Sequence, residues 1–99
     1  MTIQEATQLI QHRSIGKQEH ARWADLGCGT GFFTFALAQL LQQGSRIDAV
    51  DKSPVTLKAL SNPNHITITT TQLDFIQQPL PFSSLNGILM ANSLHYVAD

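Results

Sequence analysis

The chain has 99 residues, of which 42% are apolar and 13% charged, with a formal charge of −1. That length and composition fit one modest globular domain and exclude a disordered chain. With no basic run, a nucleic-acid backbone is not expected as the main partner, because phosphate neutralisation needs clustered Lys and Arg.

In chain order, Ile3, Ala6, Leu9 and Ile10 recur at helical spacing, so residues 3–12 are expected to form an amphipathic helix, followed by a loop at residues 14–19 containing Gly16. Arg22 to Leu26 is short and mostly apolar, the pattern of a buried strand. Phe32 to Gln43 is rich in helix formers and stops at Gly44, a residue suited to a left-handed C′ position. Its aromatic group, Phe32, Phe33 and Phe35, is expected in the core. Arg46 to Val50 is a second short strand, and Asp51 opens a turn. Ser53 and Pro54 then offer an N-cap and a first-turn proline for a helix through about Leu60. Ile66 to Thr71 is a β-branched strand. Residues 74–86, with Pro79 and Pro81, form an extended connection, Gly87 to Ala91 a fourth strand, and residues 92–97 the next loop or helix. This alternation predicts an α/β fold, a doubly wound parallel sheet of about four strands.

The single cysteine, Cys28, has no disulfide partner, and no zinc motif is present, so no metal site is expected. His12, His20 and His65 lack ligand-spaced partners and are expected at the surface. No segment approaches the roughly 20 apolar residues of a membrane span, and the N-terminus lacks a signal peptide pattern. A reducing, cytoplasmic setting without membrane contact is the expectation.

The chemistry concentrates at Asp25-Leu26-Gly27-Cys28-Gly29-Thr30-Gly31, between the first strand and its helix. In open α/β sheets, ligands bind beyond the carboxyl ends of the strands. Glycines there allow close backbone approach, and the helix that follows opens with free N–H groups for an anionic ligand group. Asp51 ends the second strand, positioned for a ribose diol of an adenosine-containing cofactor. The dinucleotide fingerprint needs a final glycine where this chain has Phe32, and the spacing is instead G-x-G-x-G behind an acid. A nicotinamide oxidoreductase fragment is therefore disfavoured.

D-L-G-C-G-T-G at 25–31 resembles motif I of class I S-adenosylmethionine-dependent methyltransferases. A-V-D-K-S-P at 49–54 resembles their ribose-binding motif, and L-D-F at 73–75 their adenine-contacting segment. Residues 79–97 resemble the fourth-strand region of the small-molecule branch called type 11. The resemblance covers about residues 20–97. It implies a Rossmann-like sheet in the order 3-2-1-4, a cofactor half over residues 20–99 and an N-terminal helix and loop over 1–19. S-adenosyl-L-methionine is the implied cofactor and a small molecule the implied methyl acceptor.

By the same resemblance, Asp25 would help fix the cofactor's amino end, directly or through water, and Gly27, Cys28, Gly29 and Gly31 would line its methionine portion. Asp51 would bind the ribose, Asp74 the adenine amino group and Phe75 the ring through its backbone N–H. Lys52 stands where an apolar residue is common, and its alkyl stem would cover the adenine. Leu85-Asn86 replaces the family's aromatic–acid pair. Asn92, His95 and Tyr96, at and beyond the end of the fourth strand, are the catalytic candidates near the cofactor, and Asn92 is also expected among the cofactor-binding residues. His95 could take a proton at neutral pH, although a loop histidine without a partner is the commoner role. Ser14 and Ser93 lack the setting of a hydrolase nucleophile.

The family sheet continues beyond a fourth strand. The expectation here is a fragment, or a chain completed by self-association or a second-half partner along the apolar edge of strand four. A noncatalytic cofactor-binding or scaffold module remains the alternative to an enzyme.

Overall fold

A computed structural model describes residues 2–11, 15, 19–58 and 60–90. The elements are α1 (Ile3–Ile10), β1 (Arg22–Leu26), α2 (Phe32–Leu40), β2 (Arg46–Asp51), β3 (Thr67–Gln72) and β4 (Gly87–Leu89). The four strands form one parallel sheet in the order β3-β2-β1-β4, as the sequence predicts. Among the described residues, no helix is long and apolar enough to cross a membrane.

α1 begins with a capping box. Thr2 Oγ1 accepts from the Glu5 N–H at 3.1 Å, and Glu5 Oε1 accepts from the Thr2 N–H at 2.9 Å. The helix ends at Ile10 rather than residue 12, with Gln11 as its C-cap and His12 outside the described residues. α1 packs on α2, and α2 packs on the sheet. Ala21, Leu37, Ala38, Leu41, Ile47 and Ile66 form the core beneath it. Leu37 and Leu41 are fully buried there, each contributing about 1.5–3 kcal/mol by removal from water.

Successive strand residues point to opposite faces, so the second face carries Ala24, Leu26 and Val50. No helix covers it among the described residues. The connection after β3 does so instead, laying Leu73, Phe75, Leu80, Phe82 and Leu85 against it. Asp48 lies on this face, with its side chain 1% exposed. It accepts from Arg22 Nε at 3.0 Å, Arg46 Nη2 at 3.3 Å and Thr69 Oγ1 at 2.7 Å. Arg22 also stands 5.4 Å over the Phe82 ring, joining the connection to the sheet.

Four further expectations need correction. No helix forms at residues 54–58; exposure alternates along Pro54 to Lys58 as in extended chain. The run is short, and β-branched Val55 and Thr56 give it little helical propensity. Its backbone bonds elsewhere: the Lys58 N–H donates to the Thr30 carbonyl at 2.8 Å. Second, α2 stops at Leu40, and Gly44 is no C′ residue but turns the chain into β2 with φ +93°. The His20 ring stands 2.8 Å from where a Cβ on Gly44 would lie, so glycine is needed for space as well. Third, of the three phenylalanines only Phe35 is buried; Phe32 and Phe33 are half-buried and meet edge to face at 5.8 Å. Fourth, the strand bounds shift. β2 runs one residue further because Asp51 pairs with Gln72, β3 spans Thr67–Gln72, and β4 ends at Leu89, with Ala91 outside the described residues.

Asn86, in the Leu85-Asn86 pair, fastens β4 to the sheet. Its Oδ1 accepts from the Arg22 N–H at 2.8 Å and its own N–H donates to the Arg22 carbonyl at 2.7 Å, joining β4 to β1. Gly87 follows because the Trp23 ring occupies the space of any Cβ there, with ring carbons 2.4–2.5 Å from its position.

Candidate functional site

The glycine loop leaves β1 and turns directly against the end of β2. The N–H groups of Gly27 and Cys28 both donate to the Val50 carbonyl, at 2.7 and 3.0 Å. Gly27, Gly29 and Gly31 all have positive φ, 74°, 56° and 91°, which a side chain would strain. Gly31 is the N-cap of α2 and offers no side-chain acceptor to the helix start. A Cβ on it would meet Leu57 Cδ2 at 2.6 Å, since the unpredicted extended connection crosses the loop at this point.

Asp51 reaches the loop from β2. Its Oδ2 accepts from the Gly29 N–H at 2.9 Å and its Oδ1 from the Ser53 N–H at 3.1 Å. Each carboxylate oxygen can accept a second hydrogen bond, so a diol can still engage it. Lys52 follows it, exposed.

Asp25 sits one residue before the end of β1, opposite Ala49 on β2 and Leu89 on β4, and is fully buried. Thr34 Oγ1, from α2, donates to its Oδ2 at 2.5 Å. Its Oδ1 is buried and has no hydrogen-bond partner among the described residues. Burial pushes the Asp25 pKa from the ordinary 3.8 up to about 6; the Thr34 bond opposes that rise and the Asp51 charge adds to it. Cys28, also buried, has its thiol pushed up to about 12 by burial and by the Asp25 and Asp51 charges. Both causes favour the protonated thiol over the nucleophilic thiolate.

Beyond β3, the Leu73 N–H donates to the Asp51 carbonyl at 2.8 Å, which brings Asp74 and Phe75 to the same end of the sheet. Asp74 Oδ1 accepts from the Ile76 N–H at 3.1 Å, and the Asp74 carbonyl accepts from Gln77 and Gln78, making a tight turn. Phe75 is half-buried against the Ala24, Leu26 and Val50 cluster.

Asp25, Gly27, Cys28, Gly29, Gly31, Asp51 and Lys52 thus gather at the carboxyl ends of β1 and β2, with Asp74 and Phe75 beyond β3. Asn92, His95 and Tyr96 lie outside the described residues, as do Ser14 and Ser93. Among the described residues, no group of three His, Cys, Asp or Glu side chains could hold a metal ion. Sequence reasoning missed Thr34, whose only signal is a hydroxyl inside the apolar run Phe33 to Ala38. It also missed the Asp48 cluster, whose partners Thr69 and Arg22 lie 21 and 26 residues away.

A family model described as a methyltransferase domain matches residues 24–99, a span that starts within β1 and takes in the glycine loop. No curated protein and no solved structure matches the chain.

Proposed function

The chain belongs to the methyltransferase-domain family, and on that premise we propose that it binds S-adenosylmethionine at the carboxyl ends of β1 and β2 and serves methyl transfer to a small molecule. One observation carries the assignment of the site: Asp25 Oδ1, buried and without a partner, next to the second acid Asp51. A buried polar atom without a hydrogen bond is costly and calls for a ligand group. Two neighbouring carboxylates favour a cationic one and repel the diphosphate of a dinucleotide.

The cofactor brings a methyl group already activated on a sulfonium, so the chain's residues need only bind and align. Asp25 accepts from the ammonium of the amino-acid end. Gly27 and Gly29 let the backbone lie against the methionine portion, and the start of α2 faces its carboxylate. The second lone pairs of Asp51 take the ribose hydroxyls. Asp74 takes the adenine amino group, the Phe75 N–H meets the ring, and the Lys52 stem covers it. Alignment of acceptor and methyl can supply much of the acceleration, and Asn92, His95 and Tyr96 are the residues assigned to the acceptor side. A type 11-like small-molecule acceptor fits the absence of any basic run in the sequence.

Isothermal titration with S-adenosylhomocysteine, with NAD and Asp51→Ala as controls, tests the reading. Saturable binding that NAD does not compete and Asp51→Ala weakens is expected. No binding by the folded chain would refute it.

A further inference from the structure

Thr34 is a polar residue in an otherwise apolar buried stretch, Thr34 to Ala38, of a helix that packs on the sheet. Alanine there would serve helix formation better. A hydroxyl carries one proton, and Thr34 gives it to Asp25 Oδ2. The two oxygens of this fully buried carboxylate are thereby made unequal: one is held by α2, the other has no partner. Among the described residues, the groups that face Asp25 cannot complete it. Thr34 of α2 has donated its proton, Asp51 of β2 is an anion, and Cys28 of the loop is a buried thiol whose Sγ donates to the Gly29 carbonyl at 3.7 Å. Its register neighbours, Ala49 and Leu89, have apolar side chains.

We propose that Thr34 is a positioning residue for ligand recognition. Its hydroxyl holds Asp25 Oδ2 so that Oδ1 is presented to the ammonium of the ligand's amino-acid end. This rests on the cofactor reading above and adds a specificity to it. The Thr34–Asp25 pair selects adenosine thioethers that carry an amino-acid end over those that lack one. It also keeps Asp25 ionised to lower pH, because the hydroxyl bonds to the charged form.

The test compares two ligands, S-adenosylhomocysteine and 5′-methylthioadenosine, which shares the adenosine and sulfur but lacks the amino-acid end. Affinities of wild type, Thr34→Val and Thr34→Ser are measured between pH 5 and 8. Thr34→Val is expected to weaken S-adenosylhomocysteine about tenfold or more. It is also expected to raise the pH below which that affinity falls, and to leave 5′-methylthioadenosine unchanged; Thr34→Ser restores both properties. Should the valine variant not fold, Thr34→Ser and Thr34→Ala, which differ by the one oxygen atom, make the same comparison. Equal losses for both ligands, or no loss for either, would overturn the positioning role while leaving the cofactor site standing. Wild type binding neither ligand would overturn the cofactor reading itself.

Discussion

Two aspartates are buried on adjacent central strands of the same sheet, and they live in opposite circumstances. Asp48, on the face covered by the late connection, takes hydrogen bonds from Arg22, Arg46 and Thr69. Burial pushes its pKa up, but the Thr69 and Arg22 bonds and the two guanidinium charges outweigh that, and the net value lies below the ordinary carboxylate range. Asp25, on the face covered by α2, has one hydroxyl, an anionic neighbour and an oxygen without a partner. An acid whose partners all come from the fold is structural. An acid that the fold buries and leaves incomplete is a candidate for a ligand contact.

The largest effect expected from this contrast is on Asp48. Replacing it by Ala leaves two cations without their acceptor and should cost about 3 kcal/mol, the low end for a broken buried pair because Arg22 and Arg46 are themselves 30% and 45% exposed. Urea denaturation measures it. A change below about 1 kcal/mol would dissolve the contrast. Asp25→Asn should do the opposite and stabilise the ligand-free chain by up to about 3 kcal/mol at pH 8. The folded-state pKa of Asp25, about 6, lies above its ordinary 3.8, so the contribution to stability is complete below about pH 4 and lost as pH rises through 6. Melting temperatures at pH 5 and 8 should therefore diverge less in Asp25→Asn than in wild type. Asp48 has the reverse sign: its contribution is present above pH 3.8 and lost as pH falls through its lowered value.

Asp51→Ala should weaken S-adenosylhomocysteine by about 1.5–3 kcal/mol, since charge-assisted bonds to the ribose are lost. Calorimetric titration reads that directly, and unchanged affinity would move the ribose elsewhere. The smallest effect is on Thr69. Thr69→Val removes one of three partners from Asp48 and should cost about 1 kcal/mol in denaturation, with ligand affinity unaltered.

Local pattern made much of this readable. β1, the parallel sheet and the glycine loop followed from short apolar runs, a helical run and three glycines whose positive φ values a turn of this kind requires, while the strand order followed from the family resemblance. Local signals also misled. Ser53 and Pro54 look like a helix start, yet the Ser53 N–H goes to Asp51 and the chain stays extended under Leu57 and Lys58 contacts to the glycine loop. The partners of the buried acids were not legible. Arg22 and Thr69 reach Asp48 from neighbouring strands, and Thr34 reaches Asp25 from a helix, through packing that no spacing rule encodes.

The most direct test of the central claim is titration of the folded wild-type chain with S-adenosylhomocysteine at pH 7.5 and pH 5. An ionised Asp25 at the ligand's ammonium predicts saturable binding at pH 7.5 that weakens at pH 5, where the carboxyl takes up its proton. Binding that ignores pH, or no binding at either pH, would contradict the account.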